Sequence, residues 1–245
     1  MSLRRTIASL SLLIPAVALA GCAPGPQTTT PQAPAPSTSS KEPSPAPEPS
    51  APAEGMRADA AWLDAGRVIG VVTWGSSSCV PFAEDPAASG QEVSVTLTDP
   101  EGRPCTKDLV ARASVVGVPA GVNPKEDVTL KVSYLGQESS FELDGDDDLT
   151  GTPGDPTDYA PSAGWFDDDK GIVLLTWGSS SCPPVVEKVD DAADAITVSF
   201  TTTKGACTAD VGPRATVISV ANGGDDDRQL VLVGDNLDAK VKILG

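Results

Sequence analysis

Seven residues, Thr73-Trp74-Gly75-Ser76-Ser77-Ser78-Cys79, recur without change as Thr176-Trp177-Gly178-Ser179-Ser180-Ser181-Cys182. A serine following a glycine is where a hydrolase nucleophile elbow presents its hydroxyl, but the second glycine of Gly-x-Ser-x-Gly is missing here. The chain contains no histidine. That removes Ser-His-Asp triads, Cys-His dyads and histidine-bearing zinc sites. A lysine base finds no support in the repeat, because Lys107 has Ala209 as its counterpart. The loops therefore read first as structure. Tryptophan can cover a disulfide, glycine gives backbone freedom and serines satisfy loop amides. The functional reading is ligand contact, by Trp74, Ser76, Ser77 and Ser78 in one copy and by Trp177, Ser179, Ser180 and Ser181 in the other. No catalytic residue, metal or cofactor is expected.

Trp62 and Trp165 occupy matching places and read as core pins rather than sugar platforms. Asp108 with Arg112 and Asp210 with Arg214 also match and suggest an ion pair in each copy. Acid clusters stand at Asp144–Asp148, Asp167–Asp169 and Asp225–Asp227. Asp144, Asp146 and Asp148 alternate like the start of a calcium loop. Leu149 and Asp155 stand where that loop needs glycine and glutamate, so solvated linker charge is the expectation. With 34 acidic and 17 basic residues, net −17, the chain cannot neutralise a row of phosphates, and nucleic acid is excluded as a partner.

The recurrence extends well beyond one loop. At an offset of 103, Trp62-Leu63-Asp64 matches Trp165-Phe166-Asp167 and Pro81 matches Pro184. After one deletion the offset is 102, and Cys105-Thr106-Lys107-Asp108 matches Cys207-Thr208-Ala209-Asp210. Two homologous units are thus expected, at 57–143 and 161–245, with an acidic Gly/Pro linker at 144–160. Each unit holds two cysteines at equivalent places, so the repeat favours Cys79–Cys105 and Cys182–Cys207 among the three possible pairings. No C-x-x-C pair supports a four-thiolate metal site.

Within the units, Glu92–Thr98, Ile196–Phe200 and Val128–Tyr134 alternate apolar and polar residues, as half-buried strands do. Arg67–Thr73, Ile172–Thr176 and Leu230–Val233 are richly apolar, and Phe141–Leu143 and Val241–Leu244 would close each unit. The fold class expected is all-β: two small antiparallel β-sandwich or barrel domains in tandem, after a disordered N-terminal stalk.

The N-terminus reads as an address. Arg4 and Arg5 precede a short apolar stretch, Thr6–Leu19, ending in Leu19-Ala20-Gly21-Cys22. This resembles the bacterial lipobox. The resemblance implies a signal peptide over 1–21, lipidation of Cys22 and anchoring at the outer face of the cell membrane. The two arginines leave Sec and twin-arginine export both open. Cleavage would remove Arg4 and Arg5 and no acid, taking the net charge from −17 to −19. The lipid must then hold what an anionic bilayer repels. Residues 22–56 form the stalk. They carry ten of the 23 prolines and no valine, isoleucine, leucine or tryptophan. Extended as polyproline II, at roughly 3.1 Å per residue, the stalk would reach roughly 100 Å.

The tandem Trp-Gly-Ser-Ser-Ser-Cys and Cys-Thr-x-Asp pattern resembles small disulfide-linked domains of secreted or lipidated proteins from actinobacteria. That resemblance implies location and architecture and carries no activity. The function expected is non-enzymatic: a membrane-anchored lipoprotein displaying two β-domains to bind a wall polymer or an envelope protein. The alternative is a structural or accessory subunit of an envelope complex.

Overall fold

Alternating and continuously apolar segments become strands, and the two patterns occupy different places. The computed structural model describes residues 56–102, 104–167, 170–201, 204–221 and 228–245. The expected signal segment, Cys22, the stalk up to residue 55, and Asp168, Asp169 and Asp225–Asp227 lie outside the described residues.

The structure is all-β. The first copy comprises β1 (Ala58–Leu63), β2 (Val68–Gly75), β3 (Phe82–Ser89), β4 (Glu92–Thr98), β5 (Val110–Gly117), β6 (Val128–Tyr134) and β7 (Gln137–Leu143). The second repeats the order as β8 (Ser162–Phe166), β9 (Gly171–Gly178), β10 (Val185–Asp191), β11 (Ala195–Thr201), β12 (Gly212–Ser219), β13 (Gln229–Val233) and β14 (Ala239–Leu244). β1, β2 and β5 form one antiparallel sheet, and β3, β4, β6 and β7 form another. In the second copy the corresponding sheets join through a short β14–β8 pair, giving the order β10-β11-β13-β14-β8-β9-β12.

The expectation of purely antiparallel sheets needs correcting. β4 runs parallel to β6, and β11 runs parallel to β13. The cause is topological. After β4 the chain crosses to the other sheet to make β5, so when it returns as β6 it runs in the direction of β4. β12 plays the same part between β11 and β13.

Three cores hold these sheets. Trp62, Ile69 and Val71 pack with Val93, Val95, Leu130 and Val132 in the first copy. Trp165, Ile172 and Leu174 pack with Ile196, Val198, Leu230 and Leu232 in the second. The third core lies between the copies: Ala61, Leu63, Val68 and Val72 against Phe166, Val173 and Leu175. β1, β2, β8 and β9 thus bury both faces, which is why their sequences are continuously apolar rather than alternating. The copies share a core, and the described residues form one unit.

Contacts between the copies are reciprocal. The Asp64 N–H donates to Ser162 Oγ at 2.7 Å, and the Asp167 N–H donates to Asp59 Oδ2 at 3.0 Å. By the 103-residue offset, Asp167 is the counterpart of Asp64 and Ser162 of Asp59. The same bond is therefore made in both directions, as in an isologous dimer interface. Close approach requires Gly164, where a Cβ would sit 2.2 Å from the Trp62 carbonyl oxygen.

The acidic linker is folded against the first copy. Leu149 is buried in its core, the Asp144 carbonyl accepts the Trp62 indole N–H at 2.7 Å, and Arg67 bridges Asp64 and Asp158 at 2.8 and 2.9 Å. Within the acid run, Asp146 Oδ1 accepts the Asp148 N–H and Asp148 pairs with Lys242 at 2.5 Å. Among the described residues no cluster of acids, cysteines or histidines could hold a metal ion.

Candidate functional site

Each serine loop leaves the end of a strand buried on both faces, β2 or β9, and crosses to an edge strand, β3 or β10. The segment entering β5 or β12 lies beside it, and a disulfide joins the two: Cys79–Cys105 in one copy and Cys182–Cys207 in the other. Cys79 and Cys182 are buried; Cys105 and Cys207 are exposed. The loop begins with a tight turn, in which the Cys79 N–H donates to the Ser76 carbonyl at 3.3 Å and the Cys182 N–H to that of Ser179 at 3.2 Å.

The threonine after the second cysteine is the hub. Thr106 Oγ1 lies 2.8 Å from Ser76 Oγ and 3.2 Å from Ser78 Oγ, and its N–H donates to Ser78 Oγ at 3.0 Å. Thr208 repeats all three distances with Ser179 and Ser181. Thr106 also donates its hydroxyl to Asp108, which accepts the Ser77 N–H at 3.2 Å; Thr208, Asp210 and Ser180 do the same. Hydrogen bonds from Ser77 and Thr106 pull the exposed Asp108 carboxyl down to about 2. Thr208 and Ser180 hold Asp210 at about 2 as well.

The expected Asp–Arg ion pairs are not formed; Asp108 and Asp210 serve the loop amides instead. Arg112 turns inward and is buried, donating to the carbonyls of Cys79 and Ser76 and, at 2.6 Å, to the Tyr134 hydroxyl. Tyr134 in turn donates to Asp99 at 2.7 Å. Arg214 holds the carbonyls of Cys182 and Trp177 at 2.9 and 3.0 Å. This explains the glycine after each tryptophan. A Cβ on Gly75 would lie 2.6 Å from Arg112 Cζ, and one on Gly178 would lie 2.8 Å from Arg214 Cζ. The guanidinium occupies the space that a side chain would need.

Trp62 and Trp165 are buried core residues, as expected. Trp74 and Trp177 are only half-buried, and each is partnered by chain that precedes its unit's first strand. The Arg57 guanidinium carbon lies 3.6 Å from the Trp74 ring centroid. Tyr159 meets Trp177 edge-on, with centroids 5.2 Å apart. Beside Trp74 is a cavity of about 440 Å³ lined also by Arg57, Leu109, Tyr134, Leu135 and Gln137. Sequence reasoning missed Arg57, Tyr134, Leu109 and Leu135. The available signal was Leu109 and its counterpart Val211, apolar residues directly after an otherwise polar Cys-Thr-x-Asp turn. Of the loop residues named from sequence, the tryptophans border the exposed apolar surface, and the serines build the loop beside them.

No protein-family model, curated protein or solved structure matches the chain.

Proposed function

We propose that the chain is a lipid-anchored protein of the outer face of the cell membrane that displays two tandem β-sandwich units and binds a wall polymer or an envelope protein without catalysing a reaction. The observation that carries this reading is the doubly built loop: a half-exposed tryptophan beside a disulfide-pinned, internally bonded turn, with Leu109 and Leu135 near Trp74 and Tyr159 against Trp177. Leu109, Leu135, Val211 and Tyr159 are all exposed. Clustered apolar exposure of this kind marks contact surfaces. The disulfides fit an oxidising compartment outside the cytoplasm. The lipobox-like Leu19-Ala20-Gly21-Cys22 supplies the anchor in this reading, and the Pro-rich stalk supplies the reach.

The test is retention of the full chain on purified cell-wall polymer and on envelope membranes. A Trp74→Ala/Trp177→Ala variant with intact bridges is run beside it. Retention of the parent and loss in the variant support the reading. Equal retention of both rejects the loops as the contact surface.

A further inference from the structure

The two copies differ at one informative place. Tyr159, which sets its ring edge against Trp177 at an interplanar angle of 81°, stands by the 103-residue offset where the first copy has Met56. Met56, Arg57 and Tyr134 instead line the cavity of about 440 Å³ beside Trp74, and among the described residues Trp74 makes no ring-to-ring contact like that of Trp177. That size is typical of small-ligand sites, roughly 300–1,000 Å³. Leu109 and Leu135, on its wall, are 76% and 75% exposed. In a chain with twice as many acids as bases, no acid is among the described residues that line it. The charged residue on its wall is Arg57, which stacks on Trp74 and reaches Asp167 at 3.3 Å.

We propose that this cavity binds a monocyclic aromatic group carrying a negative charge. The ring packs in the cavity against Trp74, Leu109 and Leu135. The charge meets Arg57. Tyr159 covers Trp177 in the second copy as Arg57 covers Trp74 in the first, so a ring meets the indole in one copy and a positive charge meets it in the other. The proposal deepens the display reading and rests on it. Two sources present this chemistry: a free aromatic acid, and the last residue of a peptide that ends in tyrosine.

The experiment uses the detergent-solubilised full chain carrying 5-fluorotryptophan. Its four tryptophans give fluorine signals assigned through Trp74→Phe and Trp177→Phe. The probes are 4-hydroxyphenylacetate, p-cresol, acetate, and a short peptide ending in tyrosine with a free or amidated terminus. The Trp74 signal is expected to move saturably with 4-hydroxyphenylacetate or the free-acid peptide, and whichever binds tighter identifies the source. p-Cresol should bind about two- to fivefold more weakly, and acetate should leave the signal in place. Arg57→Gln should bring the charged probe down to the level of p-cresol, and Leu135→Ser should weaken every probe. Tyr159→Ala should make the Trp177 signal responsive for the first time. Unmoved Trp62 and Trp165 signals certify that each variant is folded. A Trp74 signal that ignores both charged probes overturns the assignment, as does a parent Trp177 signal that moves equally. Retention on envelope material is read separately, so a silent cavity beside a retained chain rejects this site and leaves the display reading standing.

Discussion

Removing one bridge should weaken the whole folded unit. Cys79→Ala/Cys105→Ala opens a loop of 26 residues, and Cys182→Ala/Cys207→Ala opens one of 25. In the chain-entropy model each closure is worth about 3.5 kcal/mol at 25 °C, roughly a 300-fold change in the folding equilibrium. Alanine is the right replacement at Cys79 and Cys182, because both are buried and a serine hydroxyl would need a partner there. The copies share the core formed by Leu63, Val72, Val173 and Leu175. A loss in either copy should therefore lower one common unfolding transition rather than melt half of the molecule. The assay is urea unfolding followed by tryptophan fluorescence and far-ultraviolet circular dichroism, with parent and variants at equal concentration. Coincident curves, each lowered by about 3–4 kcal/mol, are expected. A change below about 1 kcal/mol would refute the role given to the bridges. Two separated transitions, only one of which responds, would refute the shared core.

Further outcomes follow from single contacts. Gly164→Ala brings a Cβ to 2.2 Å from a backbone oxygen, so it should cost about 2–3 kcal/mol in urea unfolding. Gly117→Ala, with open space around it, should stay within about 0.5 kcal/mol. Gly75→Ala displaces the buried Arg112 guanidinium and should cost about 2 kcal/mol alone but little in an Arg112→Ala background; additive losses in that cycle would contradict the packing argument. Asp108 and Asp210 sit at about 2 when folded, below the ordinary value of about 3.9. The unfolded chain takes up these protons first as pH falls, so their stabilisation is present above about pH 4 and lost on descent to about pH 2. Asp108→Asn/Asp210→Asn should flatten stability against pH in that window, and an unchanged slope would count against the network.

Legibility in the sequence followed the number of faces a strand buries. β4, β6 and β11 bury one face, so their alternation announced them. β1 and β8 are short and bury Ala60–Leu63 and Ala163–Phe166 on both sides, so no period marks them. β3 was hidden by Pro86, which is tolerated because the strand lies at a sheet edge and shifts register between Glu84 and Ala87. The parallel pairs depend on which sheet β5 and β12 join, a matter of tertiary packing that no local pattern encodes. At the site, the repeat identified both bridges and both loops. It also suggested ion pairs from Asp108 and Arg112 that do not form. Spacing shows that two residues recur together, but not that one turns outward to amides and the other inward to carbonyls. The cavity was unreadable for a related reason: its walls come from the segment before β1, the end of β2, the segment before β5, the end of β6 and the start of β7.

Lipidation at Cys22 is our proposal, and both loops are closed by disulfides. Intact mass of the full chain extracted from membranes tests it most directly, with Cys22→Ala expressed in parallel. The predicted result is a polypeptide beginning at Cys22, carrying acyl mass, two disulfides lighter than the reduced chain, with acylation abolished in Cys22→Ala. An unacylated parent chain, or a variant that keeps its lipid, would contradict it.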